Sequence, residues 1–303
     1  MPDLLALHIF KTKLTMQTKT LITFISALTV VSSAVFAQTK APEPDYAFSY
    51  NIGAVSDYRY RGLTQTRFNP ALQGGVDFAH KNGVYLGAWG STINWIKDAG
   101  SIATASGTPT NAGSANLEID LYGGYKASVT KDIGFDVGAL HYWYPSNKFN
   151  NLTTFNGWST PKADTTEIYG ALTFGPVTAK YSHSVSNLFG NADSKNSGYL
   201  DLAATFDLGD GWSVAPHIGR QRVTGNPSTT FSNGVYSYTD YSVAVNKDFG
   251  NGLVLAGTAV SSNAQKSAAG VPYYPAPDGA GVASPDSRNL GKGGLVIGAK
   301  YSF

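Results

Sequence analysis

Hydrophobic and polar residues alternate one by one along most of the chain from residue 46 onward. The last predicted strand shows the pattern most clearly, because one of its faces carries only the apolar residues Leu295, Ile297, Ala299, Tyr301 and Phe303. An exposed apolar face of this width promotes aggregation in water. It is instead typical of a strand in a closed barrel that has lipid outside and polar groups inside.

Twelve segments with this alternation are predicted to be strands, and their length suits a tilted membrane crossing. They span residues 46–61, 71–80, 84–95, 116–128, 133–144, 165–174, 177–186, 198–206, 212–222, 237–247, 253–262 and 293–303. Short turns at 81–83, 130–132, 175–176, 207–211 and 248–252 alternate with long links at 62–70, 96–115, 145–164, 187–197, 223–236 and 263–292. This alternation of short and long connections predicts an all-β fold. The predicted fold is a transmembrane antiparallel up-and-down β-barrel with short periplasmic turns and long extracellular loops.

Aromatic residues at the predicted strand ends fit the girdles that flank the lipid-facing band of such barrels. They are Tyr58, Tyr60, Trp95, Trp143 and Tyr144 at the outer end and Trp212 at the periplasmic end. The alternative is that they pack at strand ends in a soluble sandwich. The long loop 263–292 is rich in Ser, Ala, Gly and Pro, and it either folds into the lumen as a constriction or forms a surface flap.

The amino-terminal residues carry the features of an export signal. Three lysines precede an apolar run over residues 21–31, and Val35-Phe36-Ala37 offers small residues at the positions of a cleavage site. We therefore expect a signal peptide at 1–37, with Met16 as an alternative start, a short periplasmic segment at 38–45, and an outer-membrane barrel at 46–303. The alternative is that this stretch is an amphipathic first helix of a soluble protein.

Composition and charge narrow the choice of partners. The formal net charge is +2, and the expected signal peptide accounts for most of it, so net charge indicates no nucleic acid partner. Cysteine is absent, which leaves no disulfide framework and no thiolate metal site. The chain has 34 Gly, 18 Tyr and 15 Phe, yet its mean hydropathy is only −0.13. This is expected for a membrane barrel, because polar residues alternate with apolar ones and lower the average hydropathy. We expect no cofactor.

Several stretches resemble the TorF family of porins. They are Ser56 to Gly62 (SDYRYRG), Asn69 to Gly75 (NPALQGG), Tyr85 to Ser91 (YLGAWGS), Glu118 to Tyr125 (EIDLYGGY), Asp136-Val137-Gly138 and Tyr142 to Pro145 (YWYP). The resemblance implies a channel in the bacterial cell outer membrane and names no solute. The terminal Tyr301 and Phe303 also resemble the assembly signal of outer-membrane proteins, which implies the barrel-assembly machinery and outer-membrane lipids as partners.

Catalytic chemistry has little support in the sequence. There is no Gly-rich phosphate loop, no HExxH motif and no nucleophile elbow. Of the five histidines, His141 lies on a predicted membrane strand and is the one candidate for a base beside a serine, as in an outer-membrane lipid hydrolase. Spacing assigns no serine to it. We expect that the protein is not an enzyme and holds no metal.

Charged residues on the predicted inward faces are the main functional signal. We predict that Asp57, Arg59, Arg61, Glu118, Asp120, Glu167, Asp201 and Asp240 line the extracellular half of the lumen and that Asp77, Lys126, Asp136, Lys180 and Lys300 line the periplasmic half. Buried charges are costly unless they are paired or hydrated. They therefore either form ion pairs that plug the lumen or line a narrow water-filled channel.

Two hypotheses from different classes follow. The first is a passive channel for small hydrophilic solutes or ions. The second is a closed barrel that acts as a structural or surface-binding protein through its loops. For the channel we also predict that Arg59 and Arg61, on the first strand, face Glu118 and Asp120 across the lumen and create a transverse field. The alternative for these four residues is that they pair and stiffen the barrel wall.

Overall fold

The computed structural model describes residues 44–105, 112–152, 160–276, 283–284 and 287–303. The predicted signal peptide at 1–37 lies outside the described residues. Alternating apolar residues form the strands β1 (Tyr46–Val55), β2 (Arg59–Tyr60), β3 (Leu63–Thr64), β4 (Ala71–His80), β5 (Val84–Thr92), β6 (Leu117–Ser128), β7 (Ile133–Trp143), β8 (Thr165–Phe174), β9 (Val177–Ser184), β10 (Gly198–Ala204), β11 (Phe206–Gly209), β12 (Trp212–Arg222), β13 (Tyr238–Asp248), β14 (Leu253–Ser262) and β15 (Gly294–Ser302). One α-helix, α1 (Trp95–Ala105), follows β5.

All strands except β2 and β3 form one closed antiparallel sheet. Its order is β10-β9-β8-β7-β6-β5-β4-β1-β15-β14-β13-β12-β11, and the pairing of β10 with β12 closes it. Because β10 and β11 are two parts of one strand interrupted at Thr205, the barrel has twelve strands, as the sequence predicts. Closure leaves no unpaired sheet edge, which is the condition for placing backbone polar groups in lipid.

Short and long connections alternate around the barrel, as predicted. The short turns at 81–83, 129–132, 175–176, 210–211 and 249–252 lie at the same end as the start of β1 and the end of β15. We call this the turn end and the opposite end the loop end. The assignment of the turn end to the periplasm remains a prediction.

Period-two alternation separates an apolar outer surface from a polar inner one. On β1 the exposed residues are Tyr46, Phe48, Tyr50 and Ile52, and similar apolar side chains cover the outside of the other barrel strands. Phe303 continues this surface at the turn end, where its ring stacks on Tyr50 at 5.9 Å. Among the described residues, no helix is long and apolar enough to cross a membrane.

The first strand is shorter than predicted. Its barrel pairing ends at Val55, so the prediction of a strand over 46–61 is wrong for its last six residues. At this point the side chain of Ser56 accepts a hydrogen bond from the backbone N–H of Ile297 (2.9 Å), and the chain then turns into the lumen. The alternation of Tyr and Arg that continues beyond Val55 belongs instead to the hairpin of β2 and β3.

A small apolar core lies at the loop end, inside the barrel. It contains Tyr58, Ile93, Ile96, Tyr142, Tyr144 and Leu152, with Trp95 and Phe149 packed against it. Four of the predicted girdle residues, Tyr58, Tyr60, Trp95 and Tyr144, are therefore not in a girdle, because they pack against each other and against α1. Trp143 and Trp212 do face outward, with 45% and 46% of their surface exposed.

Candidate functional site: the lumen and its plug

Residues 56–70 fold back into the barrel, and we call this segment the plug. Its first turn is organised by Asp57, which is buried and accepts hydrogen bonds from the hydroxyls of Thr64 and Thr66 and from Arg59 Nε. Three donors around one carboxylate stabilise its charge away from bulk water. Asp57 therefore holds the plug's fold together.

The tip of the plug is the turn at Arg61 and Gly62. Both residues have positive φ (46° and 77°), and the turn joins the β2–β3 hairpin. A Cβ on Gly62 would lie 2.5 Å from Cβ of Asp240 on the barrel wall. Glycine therefore serves two needs here, the left-handed backbone and the close approach to β13.

Arg61 anchors the tip to the wall. Its guanidinium donates to Oε2 of Glu167 and to Oε1 of Gln221, both at 2.7 Å, and lies over the ring of Tyr199 at 4.3 Å. Burial opposes the charge of this guanidinium, but Glu167 and the nearby tyrosine hydroxyls outweigh burial and raise the pKa of Arg61 above its usual value. The guanidinium of Arg61 therefore stays charged.

Two tyrosines of the plug bind the wall on the same side. The hydroxyl of Tyr58 donates to Glu118 Oε1 (2.6 Å), and the hydroxyls of Tyr60 and Tyr142 share a hydrogen bond (2.6 Å). Burial, and after it the charge of Glu118, raises the pKa of Tyr58 well above its usual value, so this phenol remains a donor. The plug is thus held against β6, β7 and β8.

On the opposite side the plug is held by the long loop 263–292. Arg59 donates to the carbonyl oxygens of Gly62 (3.0 Å) and Lys292 (2.9 Å), and the N–H of Thr64 donates to the carbonyl of Leu290 (3.0 Å). Arg288 of the loop lies over the ring of Phe68 at 3.8 Å. The described part of this loop therefore packs on the plug and covers it from the loop end.

A cavity of about 770 Å³ occupies the lumen beneath and beside the plug. Nine of the predicted lumen residues line it: Asp57, Arg59, Arg61, Asp77, Asp120, Lys126, Lys180, Asp201 and Asp240. It runs from Ala47 and Thr205 near the turn end to Val55, Gln73 and Val296 near the loop end. Plug residues Asp57 to Gly62 form part of its lining, so the plug borders this space directly.

Three tyrosine rings on the inner wall lie against a glycine of the neighbouring strand. A Cβ added to Gly138 would lie 2.5 Å from the hydroxyl oxygen of Tyr169, and the same holds for Gly124 beneath Tyr85. Gly87 has the same relation to the ring of Tyr122. Because the rings lie along the wall and not across the lumen, they cover backbone without filling the cavity.

These tyrosines hold the carboxylates of the wall. Tyr122 donates to Asp77 (2.5 Å), Tyr85 to Asp136 (2.6 Å) and Tyr199 to Asp240 (3.0 Å). The charged partners are among the residues predicted from sequence, and the tyrosines are not. The signal was available, because Tyr122 and Tyr199 occupy the same alternating positions as Asp120 and Asp201.

The remaining lumen charges lie on β6, β9, β10, β12, β13 and β15. Lys180 lies over the ring of Tyr169 at 4.0 Å, and Lys126 lies over Tyr85 at 5.4 Å. His217 lies between Asp201 (3.5 Å) and Asp240 (3.6 Å). Lys300 is on the inward face of β15, opposite Gly53 of β1.

One predicted arrangement is wrong. Arg59 and Arg61 do not face Glu118 and Asp120 from the first strand, because both arginines belong to the plug. Arg61 pairs with Glu167, Arg59 pairs with Asp57 (2.5 Å), and Glu118 accepts from Tyr58. The inward turn after Val55 causes this difference.

Two further predicted features lie on the outside. The ring of His141 contacts the hydroxyl of Thr166 on the neighbouring strand (2.9 Å), and both residues are on the outward face of the barrel. Tyr301 and Phe303 are exposed at the turn end, with ring centroids 6.1 Å apart. Their role as an assembly signal remains a prediction.

Comparison with known proteins gives a family. Residues 39–277 match the family model described as "Bacterial protein of unknown function (Gcw_chp)". The chain belongs to the Gcw_chp family. No curated protein matches the chain. The similarity of the motifs to TorF-like porins therefore remains a prediction beside this Gcw_chp membership.

Several solved β-barrels are similar to this Gcw_chp chain. The KdgM porin is 6% identical with a TM-score of 0.45, and the match covers 84% of this chain and 99% of that one. The NanC porin is 11% identical with a TM-score of 0.45 and the same coverage. The P. putida toluene transporter TodX is 12% identical with a TM-score of 0.43, covering 86% of this chain and 90% of that one.

Proposed function

We propose that this protein is an outer-membrane channel for passive diffusion of small hydrophilic solutes or ions, and that the plug narrows its path. The observation that carries the proposal is the cavity of about 770 Å³ inside a closed barrel whose outer surface is apolar. Charged groups and tyrosine hydroxyls line this space, and such groups replace part of the hydration shell of a passing solute. Flow would follow the solute gradient.

The path runs through the cavity and past the plug. It passes Gln73 and Val296 and reaches Arg59, whose guanidinium donates a hydrogen bond to a backbone carbonyl of loop 263–292. Because Arg59 joins Asp57 of the plug to the backbone of the loop, the width and selectivity of the path depend in this proposal on Arg59 and Asp57. In this proposal the plug and the loop form one constriction.

Recording from purified protein in planar bilayers tests the proposal. We expect discrete current steps for the wild type and larger steps for Arg59→Ala, because that variant removes the side chain that bridges the plug and the loop. Arg220→Ala is the matched control, since Arg220 is exposed on the outside of β12 and is expected to leave the step size unchanged. Absence of steps in many insertions of folded protein would refute the channel.

A reversible cross-link tests whether the plug and the loop must separate for conduction. An added Cβ on Gly291 would lie 3.1 Å from the side chain of Leu63, and the chain contains no cysteine. Under oxidising conditions the double variant L63C/G291C is expected to conduct less than under reducing conditions. The two single variants are the controls, and their currents should not respond to the reductant.

The second candidate function, a closed barrel that acts through its loops, is favoured by the plug itself. Hydrogen bonds on two sides of residues 56–70 stabilise a filled loop end. This candidate predicts a folded, heat-modifiable protein with no conductance in the wild type or in Arg59→Ala. Deletion of residues 263–292 separates the two, since a channel gains conductance and a closed barrel does not.

A further inference from the structure

Asp120 differs from the other carboxylates of the cavity. It is inward-facing on β6 and only 8% exposed, and it lines the cavity. Its Oδ1 is buried without a hydrogen-bond partner, and no contact with a cation is found for it within the described residues. Asp77, Asp201 and Asp240, which line the same cavity, each lie against a tyrosine hydroxyl or a histidine ring.

Aromatic side chains stand on both sides of Asp120. The β-sheet register places Trp89 of β5 and Tyr142 of β7 directly opposite it, and cross-strand partners share a face. Tyr58 of the plug contacts the edge of Trp89, with ring centroids 5.5 Å apart. The carboxylate is thus set between aromatic residues at the wall of a water-accessible space.

Acidic side chains outnumber cationic ones around Asp120. Glu118 lies two residues away on the same face, and its partner is the neutral phenol of Tyr58. In the part of the chain that the structure describes, Arg61 is the one cation in contact with the wall acids Glu118, Asp120 and Glu167, and it binds Glu167. A buried carboxylate without a counter-charge is costly, so such a group either takes up a proton or binds a cation from outside the chain.

We propose that Asp120, Trp89 and Tyr142 form a binding site for the ammonium group of a small organic cation that enters the lumen. An ammonium ion is attracted both by a carboxylate and by aromatic faces. A divalent metal ion needs several oxygen ligands, and no group of three or more acidic or histidine side chains suited to a metal occurs among the described residues. This inference rests on the proposed function in one respect: it names organic cations as a class of solute that enters the channel.

Calorimetric titration of detergent-solubilised protein tests binding without a membrane. The probes are choline chloride and 3,3-dimethylbutan-1-ol, which have nearly the same shape but differ in charge. At a pH of about 8, where carboxyl groups are ordinarily ionised, we expect saturable binding of choline and none of the alcohol. Asp120→Asn should weaken choline binding by about tenfold or more because it removes the counter-charge.

Asp201→Asn is the matched control, because it also removes a buried carboxylate from the cavity wall but one that lies beside His217. It should change choline affinity by less than about twofold. Trp89→Leu, which keeps the carboxylate, should weaken choline binding by about fivefold. Heat-modifiable gel migration establishes that each variant is folded.

Three results would overturn the site: no saturable choline binding by wild type, equal binding of the neutral alcohol, or unchanged affinity in folded Asp120→Asn. The first of these is expected if Asp120 is simply protonated. Any of these results would leave the channel proposal intact, because the channel could still conduct solutes other than organic cations. Conversely, a barrel that binds choline through Asp120 but never conducts contradicts the channel and supports the site.

Discussion

Arg61, at the tip of the plug, donates to Glu167 of the barrel wall at 2.7 Å, and both side chains are almost fully buried (6% and 1% exposed). The two residues are 106 positions apart in the sequence. Removal of one partner of a buried ion pair leaves an uncompensated charge, which is more costly than the pair is favourable. Loss of one partner of this pair is therefore expected to be costly for the seating of the plug.

We predict that Arg61→Gln loosens the plug and destabilises the barrel. Loss of the cation should lower the free energy of unfolding by on the order of 3 kcal/mol, less if water enters to hydrate Glu167. Urea unfolding in detergent or lipid measures this, and bilayer recording should show larger or more frequent open events. Arg220→Gln on the outer surface should stay within about 0.5 kcal/mol of wild type. Equal stability of both variants would contradict this role for the pair.

The barrel itself could be predicted from sequence because one rule, alternation with period two, governs all twelve strands. The strands β4, β8, β12 and β14 have the predicted bounds. The same rule gives a wrong end for β1, because the alternation of Tyr and Arg continues past Val55 although the backbone leaves the sheet there. Alternation shows on which face of an extended segment a residue lies. It does not show whether that segment belongs to the barrel wall or to a hairpin inside the lumen.

The partners of the lumen charges could not be predicted for a related reason. Alternation places Glu118, Asp120 and Glu167 inside the barrel, but the residue that reaches each of them depends on the path of the plug. That path is set by the left-handed turn at Arg61 and Gly62 and by the three donors on Asp57. These are tertiary contacts, and the periodicity of residues along a strand does not predict them.

Gly62→Ala tests the seating of the plug tip without changing any charge. The new methyl group would meet the side chain of Asp240, and a non-glycine residue at this positive φ costs about 1–2 kcal/mol. We expect a displaced tip and increased conductance. Gly257→Ala on β14 is the matched control, since its added Cβ meets nothing within 4 Å. If Gly62→Ala gives the wild-type current, the plug is not part of the constriction.

Gly138→Ala should have the opposite effect on the current. An alanine methyl group here would lie 2.5 Å from the hydroxyl oxygen of Tyr169 and 2.6 Å from the backbone oxygen of Gly123, so we expect the ring to tilt from the wall into the lumen. We expect smaller current steps and exclusion of smaller neutral polymers than in wild type. Gly170→Ala is the control, because its nearest neighbour would be 4.0 Å away. The double variant Gly138→Ala with Tyr169→Ala should restore the current; continued narrowing would mean that the backbone has moved instead.

Tryptophan quenching by brominated lipids tests which surface faces the membrane. Trp143 and Trp212 are outward and half exposed, whereas Trp89 lines the cavity and Trp95 packs against Tyr144 at 5.3 Å. In variants that keep one tryptophan each and replace the others with phenylalanine, we expect strong quenching for Trp143 and Trp212 and weak quenching for Trp89 and Trp95. Because Trp143 and Trp212 lie at opposite ends of the barrel, bromine near the head group should quench both more than bromine at the chain end. Quenching of Trp89 as strong as that of Trp143 would contradict the closed barrel wall in lipid.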